Sequence, residues 1–454
     1  MADYIPHTEL EVAAMLDFLG LESLEDLFAH IPAALRLSGG LDVGEGRSEP
    51  DVTAQFAHYG ASNRATTASL TCFAGAGAYD HEVPAVVRAL ASRSEFVTAY
   101  TPYQPEVAQG VLQALFEYQT MVSRLSGLPI ANASLYDGAA ALVESLNLAA
   151  AATRRSRVVI SAGVHPHWRD VARTFAQGTG HEIVEVPLDN GVTAWSRVDA
   201  SDAAAVVVAY PNVLGVLEDV GVARELATAH GALLVVAGDP ISAGVLRSAG
   251  SWGADVFVGE GQALGTPLSF GGPYLGLFAC TSDQVRRLPG RIVGESVDAE
   301  GRRAFVTTLR AREQDIRRER ATSNVCTNQT LMAVTAAVQL GWLGRAGLRE
   351  VATRGVRGAH YLHDALVGLD GVSAVSDQPF VREFALRLAR PAAAVVEAMA
   401  ERGFLAGVPL DSLTGSDESV APHPEEVLVV AVTERRTRDE FDAYVAALRE
   451  EVAP

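Results

Sequence analysis

Short apolar runs alternate with amphipathic ones through the middle of the chain, and this alternation narrows the possible folds more than any other feature. Val158–Ser161, Val206–Tyr210, Ala232–Val236, Asp255–Val258 and Leu275–Cys280 read as short buried strands. Helical patterns fall between and around them, at Val107–Leu125, Ala141–Ala152, Val222–His230 and Ser282–Leu288. Strand–helix–strand succession of this kind predicts an α/β domain. A chain of 454 residues can bury one large core of that type together with a smaller satellite.

The two ends read differently from the middle. In the first forty residues, Thr8 and Glu11 form a capping box ahead of Val12, Met15, Leu16 and Leu19, and Ser23 caps a second short helix. From Leu37 to about Ser62 the periodicity fades and Gly, Ser and Asp dominate, which predicts an extended arm, either loose or wrapped on a partner. Helix Leu331–Leu343 is followed by a separate small α/β region from about Leu348. Its strands fall near Val372–Val375, Glu383–Leu388 and Val427–Val432, and no chemistry-bearing motif stands out in it. The expected division is a helical extension over 1–65, a large domain over 66–345 and a small C-terminal domain over 346–454.

Charge and cysteine usage exclude several classes. A net charge of −19 disfavours binding to nucleic acid or anionic membranes over a broad surface. No apolar run reads as spanning length and the start, Met1-Ala2-Asp3-Tyr4, is not a signal sequence, so a cytoplasmic protein is expected. Cys72, Cys280 and Cys326 are scattered and odd in number, with neither metal-ligand spacing nor a disulfide framework.

Candidate chemistry concentrates in a few stretches. Gly253–Pro273 reads as a strand, a Gly-rich turn and a return at Leu268–Phe270, a hairpin suited to holding a reactive side chain at a pocket mouth. In many pyridoxal-phosphate enzymes such a segment carries the lysine that holds the cofactor as an imine. Here the turn is Gly261-Gln262-Ala263, and all 36 basic residues of the chain are arginine. Compositional bias could remove surface lysines, whereas a catalytic one would be expected to survive.

Other stretches suit ligands or partners. Phe73–His81 is a small-residue loop that lets the backbone approach another group closely. Tyr100, Thr101, Tyr103 and Gln104 lie between Pro102 and Pro105 or beside them, a rigid loop whose tyrosines suit a ligand-facing or subunit-facing surface. Ser134 and the turn Gly138-Ala139-Ala140 open a helix, where free N–H groups and the helix dipole favour an anion. His165 could stack on an aromatic ring or be an ordinary loop histidine. Asp239 follows a buried strand, at the edge where α/β folds bind ligands. Alternating charges over 310–320 predict a solvated helix containing Arg318, and Thr322, Ser323, Asn324 and Thr327 then supply polar groups before an apolar helix.

Taken together the motifs resemble the alpha subunit, or subunit 1, of the two-subunit glycine decarboxylase, the P-protein of the glycine cleavage system. The match is carried by Tyr4-Ile5-Pro6, Gly75–His81, Ser92–Phe96, Tyr100–Glu106 and Asn132–Gly138, and continues through Tyr210-Pro211-Asn212, Gly259–Pro273, Pro289–Glu295 and Arg317–Thr327. The resemblance implies a pyridoxal-phosphate-dependent transferase of fold type I, with a mainly parallel seven-stranded sheet and a small C-terminal α/β domain. It implies a beta subunit carrying the imine lysine, an (αβ)2 assembly, and a lipoylated H-protein that receives the aminomethyl group after glycine loses CO2. The beta subunit's lysine falls opposite Gln262, and the family's Gly-Ala-Thr-Ala phosphate turn is Gly138-Ala139-Ala140-Ala141 here. Asp315 and Arg320 stand where relatives often have His and Lys. A lapsed cofactor site is expected at Ser134, Gly138, Ala139, Ala140, His165, Asp239 and Gln262. Pocket-completing residues at the α/β interface are expected at Tyr100, Thr101, Tyr103, Gln104, Arg318, Thr322, Ser323, Asn324 and Thr327. Two other readings stay open: a purely structural scaffold, and a lysine-free pyridoxamine-phosphate dehydratase.

Overall fold

The computed structural model describes residues 6–37, 39, 41–64, 69–97 and 102–452. It divides into two compact units, Met1–Arg64 and Ala65–Pro454.

In the first unit, helix Glu9–Leu19 starts on the expected capping box, with the Thr8 hydroxyl and the Glu11 carboxylate each bonded to the other's backbone N–H. Leu24–Phe28 is a 3-10 turn, shorter than the expected helix. The expected arm over 37–62 is corrected in its second half. Ser48 caps a regular helix, Glu49–Ala61, with a proline in its first turn, where the missing N–H costs nothing. None of the described residues of this unit is buried, and Leu10, Phe18, Leu35, Leu41 and Phe56 are largely exposed.

The second unit is built on a seven-stranded sheet. Across it the order is Ile130–Ala131, Gly276–Cys280, Val256–Glu260, Leu233–Gly238, Ala203–Tyr210, Arg157–Ser161 and Glu182–Val186. Gly276–Cys280 runs antiparallel to both neighbours and the remaining pairs are parallel. Alternate residues of each strand enter two different cores. Val206, Val208, Leu234 and Val236 pack with Leu112, Leu115 and Tyr118 of helix Gln109–Ser126. Val207, Val235, Val256 and Val258 pack with Leu142 and Leu146 of helix Gly138–Thr153. Cover on both faces is why these strands read as continuous apolar runs with no polar alternation.

A four-stranded antiparallel sheet, ordered Val372–Ala374, Glu383–Leu388, Val427–Ala431 and Val408–Pro409, packs against helices Ala392–Glu401 and Arg438–Val452. Phe73 is buried in that same core, and its neighbours Thr71–Cys72 pair in parallel with Phe404–Leu405. Helix Thr330–Leu366 is by length and composition apolar enough to cross a membrane. It is nevertheless a core helix, broken at Gly344 and burying Ala333, Val334 and Ala336.

Three further expectations are corrected. Leu268–Phe270 is not a strand: the return strand begins at Gly276, and Phe270 stands fully exposed on the loop before it. The charged segment 310–320 is not one helix but three short turns, Arg310–Arg312, Gln314–Arg317 and Arg318–Arg320, because Glu313 is extended between the first two and Arg318 takes positive φ at the start of the third. Ile292–Val297 and Arg303–Thr308, where no strands were expected, pair as a two-stranded hairpin.

Candidate functional site

The carboxyl ends of Ala203–Tyr210, Leu233–Gly238 and Val256–Glu260 open onto one cavity of about 90 Å³. This is the edge at which α/β folds bind ligands. Its polar lining is His165, Asn212, Asp239, Glu260 and Glu383, with Tyr79 and Trp168 as the aromatic walls.

The loop after Phe73 crosses the cavity, and Gly75 lets it lie there. A Cβ at that position would stand 2.4 Å from Glu383 Oε1 and 2.5 Å from the Ala431 Cβ, so the backbone approach requires glycine. Ala76 N–H donates to Glu383 Oε1 at 2.6 Å, and the Tyr79 hydroxyl donates to Oε2 at 2.9 Å. Burial raises the Glu383 carboxyl above its ordinary range against those donors, and it raises the Tyr79 phenol well above its own. His165 opens helix Pro166–Thr179. Its Nε2 bonds the Ala76 carbonyl at 2.9 Å and its Nδ1 accepts from His167 N–H at 3.2 Å, so the ring is a neutral Nε2–H tautomer. Burial holds its pKa down to about 4.

Asp239 is joined to a residue from the far end of the chain. Arg382 Nε donates to Asp239 Oδ2 at 2.9 Å while its guanidinium lies 3.6 Å above the Tyr79 ring. Burial pushes the Asp239 carboxyl up, but Arg382 and the Ser242 hydroxyl outweigh it and hold the pKa to about 2. Ile241 N–H and Ser242 N–H complete its shell. Glu260 accepts from Gly138 N–H, Gln262 N–H and Leu275 N–H, each at 2.9 Å. Burial lifts its pKa to about 7 in spite of those donors. Gln262 is 1% exposed. Its Oε1 accepts from Tyr79 N–H, and its Nε2 donates to the carbonyls of Tyr79 and Thr266.

Of the expected lapsed-site residues, His165 and Asp239 line the cavity, and Gln262 is clipped behind it to Tyr79. Gly138 is tied to it through Glu260, and Ala140 N–H is taken by the Asp137 side chain. Ser134 belongs elsewhere: its hydroxyl accepts from Asn328 Nδ2 at 2.8 Å. Asn328 also receives the Tyr103 hydroxyl, and Arg291 lies over the Tyr103 ring. Gln104, Arg318, Asn324 and Thr327 are exposed, whereas Thr322 and Ser323 line a cleft with Arg286, Arg287 and Arg312. Tyr100 and Thr101 lie outside the described residues.

Sequence reasoning missed Tyr79, Trp168, Glu260, Arg382 and Glu383. The last two contradict the reading of the C-terminal region as free of chemistry. The available signal was an Arg-Glu pair at the start of an apolar strand, where charge needs a buried partner.

This sheet order with a ligand edge of this kind belongs to the pyridoxal-phosphate-dependent enzymes of fold type I. A cysteine desulfurase from Thermococcus onnurineus NA1 is similar over 90% of this chain and 99% of its own at 14% identity, with a TM-score of 0.64. Residues 2–448 match the glycine cleavage system P-protein family. The probable glycine dehydrogenase (decarboxylating) subunit 1 of Geobacillus kaustophilus is 46% identical over 98% of both chains. A crystal structure of glycine decarboxylase (P-protein) of the glycine cleavage system, in inhibitor-bound form, is 47% identical, covering 99% of this chain and 100% of its own, with a TM-score of 0.90. The chain belongs to the P-protein family.

Pyridoxal phosphate does not fit this chain's own pocket. No lysine can form the imine, the Gly138 N–H already holds a carboxylate, and Asp239 faces a guanidinium instead of a ring nitrogen. Both nitrogens of His165 are engaged as well.

Proposed function

We propose that this chain is the alpha subunit of a glycine dehydrogenase (aminomethyl-transferring), working in the cytoplasm with a beta subunit that holds pyridoxal phosphate on a lysine. The observation that carries this reading is the lack of any lysine, with Gln262 buried and bonded at both ends of its amide in the lysine's stead. In the complex the partner's cofactor supplies the electron sink for loss of CO2 from glycine. This chain's residues orient the substrate and exclude water at the α/β junction, so that the aminomethyl group passes to the lipoyl arm of H-protein.

Tyr100, Thr101, Tyr103, Gln104, Arg318, Thr322, Ser323, Asn324 and Thr327 are the residues assigned to that junction. The exposure of Gln104, Arg318, Asn324 and Thr327 and the arginine-lined cleft beside Thr322 and Ser323 support the assignment. Tyr103 acts as a positioning residue, because its hydroxyl is engaged by Asn328. The assembly is (αβ)2, and the exposed apolar side chains of the first unit seat on the partner. The purified chain should show no glycine-dependent CO2 exchange alone and should gain it when the beta subunit and lipoylated H-protein are added. Exchange by the isolated chain overturns this reading.

A further inference from the structure

Loss of the lysine removes only the covalent anchor. A pocket of this fold could still hold a phosphate-bearing cofactor through its phosphate and ring, so a missing amine does not by itself close it. The first turn of the 16-residue helix Gly138–Thr153 would be the place for that phosphate, since its N–H groups and dipole point outward.

Two of that turn's outward N–H groups are already held by the chain's own carboxylates. Gly138 N–H donates to Glu260 Oε2 at 2.9 Å and Ala140 N–H to Asp137 Oδ1 at 2.7 Å. Trp168 covers the same spot: a Cβ added to Gly138 would stand 2.1 Å from its Cζ2. The Glu260 carboxylate comes from the end of the strand next to the missing lysine, and its other oxygen accepts from Gln262 N–H and Leu275 N–H. One side chain therefore fills the helix terminus and also sets the turn that delivers Gln262 to Tyr79.

We propose that Glu260 is an internal ligand, a carboxylate seated at the helix N-terminus in place of an external phosphate. It closes this pocket to phosphate-bearing cofactors independently of the missing lysine. An incoming phosphate would have to displace the Gly138–Glu260 hydrogen bond and then sit against a buried carboxyl group still held by Gln262 and Leu275, both of which oppose entry. The inference goes beyond the proposed function, which needs only that the imine be made elsewhere.

The test uses the full chain, its Glu260→Ala and Gln262→Lys variants, and the double variant. Inorganic phosphate, titrated by calorimetry, should bind the Glu260→Ala chain at least tenfold more tightly than the wild type. With pyridoxal phosphate, the new lysine amine condenses with the aldehyde and releases water, giving a visible imine band. That band should exceed the wild-type baseline, set by the terminal amine, only in the double variant. Full imine formation in the Gln262→Lys chain alone would overturn the proposal. So would a folded Glu260→Ala chain with no gain in phosphate affinity. The Gln262→Lys arm stands even if Glu260→Ala fails to fold: no band supports the proposal and a full band overturns it. None of these readouts involves glycine turnover or a second subunit, so failure here and failure of the proposed function are told apart.

Discussion

Arg382 and Asp239 sit 143 residues apart in sequence and form a buried ion pair beside the cavity. Arg382 is 3% exposed and its Nη atoms have no hydrogen-bond partner among the described residues, so it is held mainly by this carboxylate and by the Tyr79 ring. Removing one partner of a buried pair costs far more than removing both. Arg382→Met should destabilise the chain by about 3–5 kcal/mol in urea unfolding, and Asp239→Asn added to it should recover part of the loss. Glu144 makes a separate case on the buried face of helix Gly138–Thr153. Burial lifts its carboxyl to about 7, with Ser323 and Asn147 opposing, and one oxygen lacks a partner among the described residues. A raised carboxyl contributes stability that is complete below its unfolded pKa of about 4.5 and is lost as pH rises through about 7. Glu144→Gln should therefore gain on the wild type between pH 5 and pH 8, by on the order of 3 kcal/mol. A constant difference between the two chains across that range would contradict the assignment.

Elements recurred where apolar periodicity was strong and drifted where it was weak. The strands of the large sheet and helices Gln109–Ser126 and Gly138–Thr153 lie within a few residues of their expected bounds, because continuous burial leaves an unmistakable pattern. Helix Glu49–Ala61 was not legible, since its residues are polar or exposed and no core stripe marks it. The hairpin of 292–308 was masked by its charged, half-exposed residues. At the start of helix Gly138–Thr153, contact with Trp168 makes the glycine a requirement of packing. Gly138→Ala should lower stability by about 1–3 kcal/mol, and Trp168→Ala should relieve the clash, as read from paired thermal melts.

For the whole molecule, the first unit is the part least able to stand without a partner, since none of its described residues is buried. Deleting residues 1–64 should sharply reduce co-purification with the beta subunit while the second unit keeps its own melting transition. Retained co-purification would remove that unit from the interface. Tyr103→Phe tests the junction from the other side. Loss of the hydroxyl frees Asn328, which also bonds Ser134, and should lower glycine decarboxylation in the reconstituted complex without preventing assembly. Full activity would leave the chain as a scaffold for its partner.

The α/β class and the impossibility of a side-chain imine could be read directly from the order of residues. Apolar periodicity reports burial locally, and a residue type absent from the whole chain needs no coordinates to be missed. The state of the pocket could not be read that way. Its contents come from Gly75, Gly138, His165, Asp239, Glu260 and Arg382, which are scattered over more than 300 residues, and hydrogen bonds between such distant groups leave no periodic trace. Folding alone brings a glutamate to a helix terminus and an arginine to an aspartate, and so turns a cofactor-shaped edge into one whose glutamate, aspartate and histidine are already engaged by the chain itself.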